Sequence, residues 1–441
     1  MQVKVVKFGG SSLADANQFK KVKDIIMADK QRAFVIPSAP GKRTYKDEKV
    51  TDMLYKCQSE VTQGNLAEFE NIFSRIIERF VNIAYELNLK CDILGELNNI
   101  AHNLKNGASA DYAASRGEYL NGMLLAEYLD YEFIDATELI RFDADKKFDA
   151  RCTQKLMQDN LKDVRNAVIP GFYGAQEDGE VVTFSRGGSD ITGAIVSRGV
   201  DAEIYENWTD VSGLLMADPR IVNNPRAIKT VTYTELRELA YMGASVLHDE
   251  SIFPVRQACI PINVKNTNSP EDIGTMIVPD DDEIQEELTI TGIAGRVGFS
   301  VIAIRKDKMH AEVGFVANVL NVLAQNGISV EHMPTGIDTI SLIVEDSQLK
   351  DKTDKVLKEL MENCGCDALE LENNMAMIAV VGRGMIKKIG TSATLFNALA
   401  KVGVNIRMID QGSSEINIII GIEAADFAQA MNAIYFEFTK K

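Results

Sequence analysis

Short apolar runs alternate along this chain with longer stretches in which hydrophobic positions recur every three or four residues. The short runs predict β-strands, and they lie at residues 3–8, 33–37, 132–135, 167–170, 181–185, 202–205 and 260–265. Strands that alternate with helices are typical of a mainly parallel sheet with helices on both faces. We therefore expect a three-layer α/β domain in the first part of the chain.

A long helical insertion interrupts this pattern. No proline occurs between Pro40 and Pro170, and residues 46–130 carry helical patterns such as the one at 66–87. A helical lobe is therefore expected at about 46–130. The acidic run at 279–283, followed by Glu286 and Glu287, indicates a solvated link, so we expect the first domain to span residues 1–284.

The remainder of the chain contains an internal repeat, because residues 314–344 align without a gap with residues 390–420. The first copy reads strand, helix, strand, strand and helix at residues 298–305, 315–325, 329–333, 339–344 and 351–363. This is the order of a ferredoxin-like βαββαβ unit. We expect two such domains, at 285–371 and 372–441, and a strand near 288–294 that pairs with the second. They either bind ligands or serve only for oligomerisation.

Charge and cysteine content exclude several classes of protein. The net charge of −17 and the pI near 4.9 argue against nucleic acid or an anionic membrane as a partner. No stretch reaches about 18 consecutive apolar residues, and the sequence opens directly on a strand, so a cytoplasmic protein is expected. The six cysteines are scattered without a CxxC pair, so we expect neither disulfides nor a metal site.

The first strand ends in Lys7, and Gly9, Gly10, Ser11 and Ser12 follow it closely. Because alternate strand residues share a face, the lysine lies in phase with buried valines, and its ammonium is expected at the carboxyl end of the strand. The glycines allow a ligand close to the backbone. One of the serines is expected to cap a helix at 14–29, whose N-terminus favours an anion. Taken alone, the motif fits a phosphate-binding turn or an ordinary strand-to-helix turn.

A second glycine turn lies at residues 181–193, with Arg186 and Asp190 on either side of it. Ligands bind beyond the carboxyl ends of parallel strands, so we expect both turns to face one crevice. A guanidinium suits a carboxylate, and Asp190 either accepts a hydrogen bond from a ligand ammonium or orients Lys7. The alternative is a turn stabilised by its own salt bridge.

The segment after the next strand contains Thr209, Asp210, Asp218 and Arg220. It fits either a nucleotide-binding loop or a capping turn with an Asp-Pro helix start. The chain lacks the GxxxxGK[ST] sequence of P-loop enzymes, and Gly-Arg-Gly at 382–384 lacks the third glycine of a dinucleotide fingerprint. Neither a P-loop enzyme nor NAD binding is expected.

Together these segments resemble the aspartokinases of the amino-acid kinase family. The resemblance rests on Lys-Phe-Gly-Gly-Ser at 7–11, Arg-Gly-Gly-Ser-Asp at 186–190, Trp-Thr-Asp-Val at 208–211 and Asp-Pro-Arg at 218–220. It extends through residues 242–248 and the two repeats, which are similar to paired ACT domains. It implies a carbamate kinase-like catalytic domain that transfers the γ-phosphoryl group of ATP to the β-carboxylate of L-aspartate, with Mg²⁺ carried by the nucleotide.

The resemblance also implies roles for individual residues. The catalytic residues would be Lys7, Arg186 and Asp190. The substrate pocket would contain Thr51, Glu118, Phe172, Arg186, Ser189 and Asp190, with Glu118 receiving the substrate ammonium. The nucleotide would meet Lys7, Gly9, Gly10, Ser11, Thr209, Asp210, Asp218, Arg220 and Lys265. Lys265 is expected to replace a basic residue that some relatives place where this chain has Asn268. Without the family, Glu118 would be interpreted as a solvated helix glutamate.

Finally, the resemblance implies feedback by an amino-acid end product, lysine or else threonine, bound to ACT domains of a homodimer or a dimer of dimers. The candidate effector contacts are Met309, Glu312, Val330, Glu331, Thr335, Ile337 and Asp338. Two of these, Glu331 and Asp338, are equally well explained as plain surface charges. The alternatives for the whole chain are a kinase of another small acceptor and a nucleotide-binding amino-acid sensor without catalysis.

Overall fold

The computed structural model describes residues 3–185, 187–244, 247, 249–280, 288–386 and 388–440. Its backbone separates into two units. The first comprises Met1–Leu214, Lys229–Tyr233 and Ser245–Glu283, and the second comprises Leu215–Ile228, Thr234–Ala244 and Ile284–Lys441. Two segments that precede residue 284 therefore belong to the second unit. Residues 281–287 lie outside the described ranges, so the boundary expected near 284 stays a prediction.

The first unit is built on an eight-stranded sheet. The strands of the first 280 residues are β1 (Lys4–Phe8), β2 (Arg32–Pro37), β3 (Glu132–Phe133), β4 (Ala167–Val168), β5 (Tyr173–Ala175), β6 (Val181–Thr183), β7 (Ile204–Thr209), β8 (Thr230–Thr232), β9 (Ile262–Asn266) and β10 (Thr275–Val278). The order in the sheet is β3-β4-β2-β1-β7-β9-β10-β8. The six strands from β3 to β9 in this order run parallel, and β10 is antiparallel to β9. The expected mainly parallel sheet is confirmed.

Helices cover this sheet and form the lobe between β2 and β3. They are α1 (Ala16–Met27), α2 (Val50–Thr62), α3 (Leu66–Glu86), α4 (Ile93–Lys105), α5 (Ala110–Leu129), α6 (Ala136–Leu139), α7 (Ala150–Leu161), α8 (Gly188–Gly199) and α10 (Asp249–Gln257). Helix α9 (Tyr233–Tyr241) belongs, apart from Tyr233, to the second unit. Phe69, Phe73, Ile76 and Phe80 recur at helical spacing on α3 and are fully buried. Their apolar stripe joins α3 to α2, α4 and α5 in one core.

The prediction that Ser11 or Ser12 caps the first helix was wrong. A 3-10 turn occupies Gly10–Leu13, and α1 begins only at Ala16. The side chain of Asp15 caps it by accepting hydrogen bonds from the backbone N–H groups of Asn17 and Gln18. A carboxylate next to the first helical residue therefore replaces Ser11 and Ser12 in that role.

The strand expected at 181–185 is also placed differently from the prediction. Residues of β6 pair antiparallel with β5 in a separate two-stranded sheet. The run is short, and the loop that joins β5 to β6 returns the chain at once, so a hairpin satisfies its backbone without the main sheet. The second glycine turn therefore does not follow a strand of the main parallel sheet, contrary to the prediction.

The second unit contains a five-stranded antiparallel sheet. Its strands are β11 (Gly292–Arg305), β12 (Thr339–Glu345), β13 (Ala368–Val381), β14 (Met408–Asp410) and β15 (Asn417–Glu423), in the order β12-β11-β13-β15-β14. The helices are α11 (Phe315–Gln325), α12 (Asp346–Leu349), α13 (Thr353–Cys364), α14 (Thr391–Lys401) and α15 (Phe427–Thr439). The predicted helix at 315–325 is confirmed.

The two long strands β11 and β13 each serve both repeats. The first half of β11 pairs with residues 376–381 of β13, and its second half pairs with β12 and with residues 368–375 of β13. A register shift near Gly298, which has a φ of 95°, separates the halves. The two repeats are therefore parts of one continuous sheet.

The strand predicted at 329–333 was wrong. Residues 332–335 make two isolated bridges, from His332 to Ile343 and from Thr335 to Ile340, rather than a continuous ladder. Pro334 lies between the two bridges and has no N–H to donate, which explains why the ladder is interrupted. Among the described residues we find no helix whose length and apolar character would allow it to span a membrane.

The close packing of β11 on β13 gives a stability prediction. An added Cβ at Gly295 would lie 2.6 Å from the carbonyl oxygen of Met377 and 2.7 Å from the ring of Phe427. We expect Gly295→Ala to lower the free energy of unfolding by about 1–3 kcal/mol through overpacking. Calorimetric unfolding of the full chain measures this. The control is Gly412→Ala, where the nearest atom would be 3.8 Å away and no effect is expected; equal effects of the two variants would contradict the argument.

Candidate active site

Lys7 lies at the carboxyl end of the central strand β1, as the alternation of the sequence predicts. The strand is flanked on both sides by parallel neighbours, and Val5, Val6 and Phe8 are fully buried. Lys7 itself is only 8% exposed. A buried ammonium is stable only where other groups compensate its charge.

Asp190 and Asn207 supply that compensation. The ammonium of Lys7 lies 2.6 Å from Oδ1 of Asp190 and 3.5 Å from Oδ1 of Asn207. Asn207 in turn donates through Nδ2 to Asp190 Oδ1, at 2.7 Å. Three elements, β1, β7 and the first turn of α8, thus meet at one charged group. The structure therefore brings the first turn of α8 to the end of β1, and Asp190 contacts Lys7. A role of Asp190 toward a ligand ammonium stays a prediction.

The first glycine turn passes very close to the loop that follows β2. An added Cβ at Gly10 would lie 2.8 Å from the carbonyl oxygen of Ala39, and the N–H of Gly41 donates to the carbonyl of Gly10 at 2.8 Å. At Gly9 an added Cβ would lie 3.7 Å from the Lys7 ammonium. The glycine backbone therefore comes close to the ammonium, where a larger residue at position 9 would contact it.

Glu118 is buried on α5, close to the backbone of Ala39. Burial raises the pKa of Glu118 to about 8, although hydrogen bonding to the backbone N–H of Ala39 and the charge of Arg116 act in the opposite direction. Its Oε2 atom is buried and has no hydrogen-bond partner among the described residues. The interpretation as a solvated glutamate is excluded. A buried carboxyl with a strongly raised pKa is a candidate for a functional group.

Phe172 and Ser189 lie beside the start of α8. Phe172 has a positive φ of 80°, rare for an aromatic residue, and its N–H donates to Oγ1 of Thr192 at 3.0 Å. Its ring fills the space beside Gly188, where an added Cβ would be 2.6 Å away, and buried Ser189 packs equally closely on Gly171. Thr51 lies half-buried in the first turn of α2.

Hydroxyl and carboxylate groups line the strand ends next to the glycine turn. The hydroxyl of Thr209 donates to Asp210, which is exposed, at 3.3 Å. The hydroxyls of Ser12 and Thr267 are 2.8 Å apart, and Ser11 beside them is half-buried. These groups at the ends of β1, β7 and β9 form a polar rim of oxygen atoms.

Lys265 belongs to the opposite face of the sheet. It is paired in register with Trp208, which is paired with Phe8, whereas Lys7 is in register with Asn207. Its ammonium lies 5.2 Å from the centre of the Trp208 ring, and burial lowers its pKa. Its expected role at a nucleotide stays a prediction. Asn268 accepts a 2.8 Å hydrogen bond from Lys21 of α1.

Three predicted residues do not belong to the described part of the first unit. Arg186 is not among the described residues, and Asp218 and Arg220 belong to the second unit. There the guanidinium of Arg220 lies 2.6 Å from Asp218 and is highly exposed, and this contact lowers the pKa of the Asp218 carboxyl. The Asp-Pro-Arg segment is thus a turn with an internal ion pair.

Most candidate effector residues cluster around one turn of the second unit. Glu312 lies 3.3 Å from the ammonium of Lys306, and Asp338 accepts from the N–H of Lys308 at 2.8 Å. Met309 is buried there, and Ile337 is 70% exposed. Thr335 bridges to Ile340, and Val330 is half-buried. Glu331 differs, because it accepts a hydrogen bond from Tyr241 and lies 4.0 Å from Arg296.

Sequence reasoning missed Asn207, Asn121 and Arg79. Asn121, one turn after Glu118, donates to the carbonyl of Ser38 at 2.6 Å. Arg79 is buried and holds the loop after β2 through the carbonyl of Gly41 and the carboxylate of Asp47. Only Asn207 had a sequence signal, since a polar side chain inside a buried strand requires a hydrogen-bond partner, although the sequence does not identify Lys7 as that partner.

Comparisons with known proteins show which families and structures this chain resembles. The profile of the amino acid kinase family matches residues 2–266, and that of an ACT domain matches residues 378–438. Aspartokinase 3 of Bacillus subtilis is 38% identical over 99% of this chain and 98% of its own length. The crystal structure of Clostridium acetobutylicum aspartate kinase is 53% identical, with a TM-score of 0.92 and full coverage of both chains. Escherichia coli aspartokinase III, with aspartate and ADP, is 25% identical with a TM-score of 0.77 over both full chains.

The raised pKa of Glu118 predicts a pH-dependent stability. Between about pH 4.5, where the carboxyl ionises in the unfolded chain, and about pH 8, the folded chain holds one proton more than the unfolded chain. The free energy of unfolding therefore falls as the pH rises through this window, by an amount of the order of a few kcal/mol. We expect Glu118→Gln to remove this loss. Denaturant unfolding of both proteins at pH 5 and pH 8 measures it, and parallel pH dependences would contradict the assignment.

Proposed function

Because the chain belongs to the aspartokinases of the amino acid kinase family, we propose that it joins the γ-phosphoryl group of ATP to the β-carboxylate of L-aspartate. The products are 4-phospho-L-aspartate and ADP. Aspartate kinase activity itself follows from the family membership, which extends over nearly the whole chain. We further propose which oxygen accepts the phosphoryl group, which residues act on it and how the reaction is controlled.

The acceptor group needs no catalytic base. An aspartate carboxyl has a reference pKa of about 3.9, so it is ionised and nucleophilic near neutral pH. One of its oxygens attacks the γ-phosphorus, and the bond from phosphorus to the bridging oxygen of ADP breaks. What the protein must supply is in-line placement of the reactants and positive charge beside the phosphoryl oxygens.

Lys7 supplies that charge, and its buried ion pair is the single observation that carries the proposal. The ammonium is fixed at the strand end by Asp190 and Asn207, next to a glycine turn that leaves the backbone accessible. A charge fixed before the reaction stabilises the transition state without reorganising during it. Asp190 and Asn207 act through Lys7 and are positioning residues.

Glu118 receives the ammonium of aspartate. Its buried, unpartnered Oε2 and its raised pKa mean that the empty site holds this carboxyl in the neutral form. An arriving ammonium favours the ionised form, so substrate binding releases the proton from Glu118. Arg186 takes the α-carboxylate of aspartate, and Thr51, Phe172 and Ser189 complete the pocket. The complex of Escherichia coli aspartokinase III with aspartate and ADP supports the choice of substrates.

ATP meets the polar rim beyond β1, β7 and β9. Gly9, Gly10 and Ser11 face its phosphates, and Thr209 and Asp210 lie along the nucleotide. The nucleotide contacts expected of Asp218 and Arg220 stay a prediction. Hydroxyl and carboxylate oxygens such as those of Ser11 and Asp210 fit a magnesium ion that arrives on the phosphates. When bound, that ion would neutralise part of the phosphate charge.

The ACT region provides feedback control by an amino-acid end product, and lysine is the first candidate. Escherichia coli aspartokinase III has been crystallised with lysine and aspartate in its T-state, at 25% identity to this chain and a TM-score of 0.77 over both full chains. The turn around Met309, Glu312, Thr335 and Asp338 is the proposed contact, in a homodimer joined through these domains. Lysine would inhibit only if it binds the less active conformation more tightly than the active one.

Lys7→Ala tests the catalytic assignment. Without the ammonium, kcat should fall by about two to three orders of magnitude, while KM for aspartate should change little because Glu118 and Arg186 remain. A hydroxylamine trap for the acyl phosphate measures the turnover. Lys4→Ala is the matched control, since Lys4 lies on the same strand but pairs with Asp29. Equal turnover of wild type and Lys7→Ala would refute the role.

Asp338→Asn tests the control site. We expect lysine to inhibit the wild type, and the variant to need about ten times more lysine for the same inhibition, because one charged hydrogen bond to the effector ammonium is lost. The control is Asp354→Asn, on the exposed side of α13. Inhibition curves with lysine and with threonine measure both variants. A wild type unaffected by either amino acid would remove the proposal of feedback.

A further inference from the structure

A groove between α4 and α5 is not used by the proposed function. It has a volume of about 350 Å³, and its lining includes Glu96, Asn99, Asn103, Tyr112, Arg116 and Tyr119. Arg116 and Glu118 are two residues apart on α5 and so project about 200° apart around the helix. The groove therefore lies on the side of α5 that faces away from the candidate substrate pocket.

Arg116 is the notable group in this groove. It is only 6% exposed, and its guanidinium lies 4.6 Å, 4.5 Å and 5.3 Å from the ring centres of Tyr112, Tyr119 and Tyr173. Its Nε donates to the hydroxyl of Ser115 at 3.0 Å. Within the described part of the chain, its two Nη groups have no hydrogen-bond acceptor and no carboxylate within 4 Å. A buried guanidinium with a free fork is complementary to a carboxylate, which accepts two parallel hydrogen bonds.

Glu96 brings the opposite charge to the same groove. It lies half-buried in the first turn of α4, and none of the described cations comes within 4 Å of its carboxylate. Burial and the charge of Glu96 raise the pKa of Tyr119, whereas the charge of Arg116 lowers it. Both charges therefore act on one tyrosine ring without forming an ion pair with each other.

We propose that this groove binds a small free α-amino acid. The carboxylate of the ligand lies on the Nη groups of Arg116, and its ammonium lies on the carboxylate of Glu96. The tyrosine rings exclude water from the guanidinium, and the amide of Asn99 lines the groove beside the ligand. A ligand that carries both charges satisfies two groups that have no ion-pair partner among the described residues, whereas a simple carboxylate satisfies only one and leaves Glu96 close to an added negative charge.

Saturation-transfer NMR on the full chain, with L-alanine and propionate as probes, tests this proposal. The two probes differ only in the amino group, and neither carries the second carboxylate of aspartate. We expect alanine to bind at least about tenfold more tightly than propionate, since a charged hydrogen bond distinguishes them. Glu96→Gln should abolish this preference, and Arg116→Gln should abolish the binding of both probes.

Glu118→Gln is the control that separates this groove from the substrate pocket. Alanine binding should persist in that variant, and its loss there would assign the signal to the substrate pocket and overturn the proposal. Should Arg116→Gln fail to fold, Glu96→Gln still decides, because its side chain lies on the half-exposed face of α4. A tenfold preference retained in Glu96→Gln, or no alanine binding to the wild type, would overturn the proposal as well.

Discussion

The first unit depends on compensating one buried ammonium. Lys7 lies on the central strand, and its charge would destabilise that strand by several kcal/mol if no partner reached it. Its partners come from two elements nearly two hundred residues later, the first turn of α8 and the strand β7. Packing of α8 and β7 against β1 is therefore needed to stabilise the ammonium as well as to form the core. Stability of the fold and geometry of the crevice are consequences of the same contact.

The carboxyl of Glu118, unlike the ammonium of Lys7, has no ion-pair partner among the described residues. Lys7 is paired within the chain, so its charge is in place before any ligand binds, whereas Oε2 of Glu118 is buried without a hydrogen-bond partner among the described residues. The first arrangement suits a charge that must be present throughout phosphoryl transfer, and the second suits a charge that is needed only while an ammonium is bound. The unpaired carboxyl destabilises the empty protein, and ligand binding recovers that free energy.

The parts of this structure that local pattern determines were predictable, and those that depend on distant partners were not. The phase of Lys7 follows from strand alternation, and α11 follows from helical periodicity. The contact of Asn207 with Lys7 depends on which strand neighbours β1, and no local signal specifies that order. The strand predictions at 181–185 and 329–333 were wrong for a related reason. A short apolar run does not reveal which strand it pairs with. The resemblance to aspartokinases identified Glu118 as a candidate substrate-binding residue, whereas the residue pattern alone did not.

The second unit couples its repeats to residues that precede them in the chain. Because β11 and β13 each run through both repeats, each repeat is built on strands that the other repeat also uses. The segments 215–228 and 234–244 are tied to this sheet and its helices: Ile293 donates to the carbonyl of Met216 at 2.7 Å, and Asn432 to that of Ile221 at 3.0 Å. Ile221 directly follows Arg220. The Asp-Pro-Arg turn is therefore held in the same unit as the ACT sheet, and a ligand that binds one conformation of that sheet more tightly would act on the turn only if the turn also differs between the two conformations.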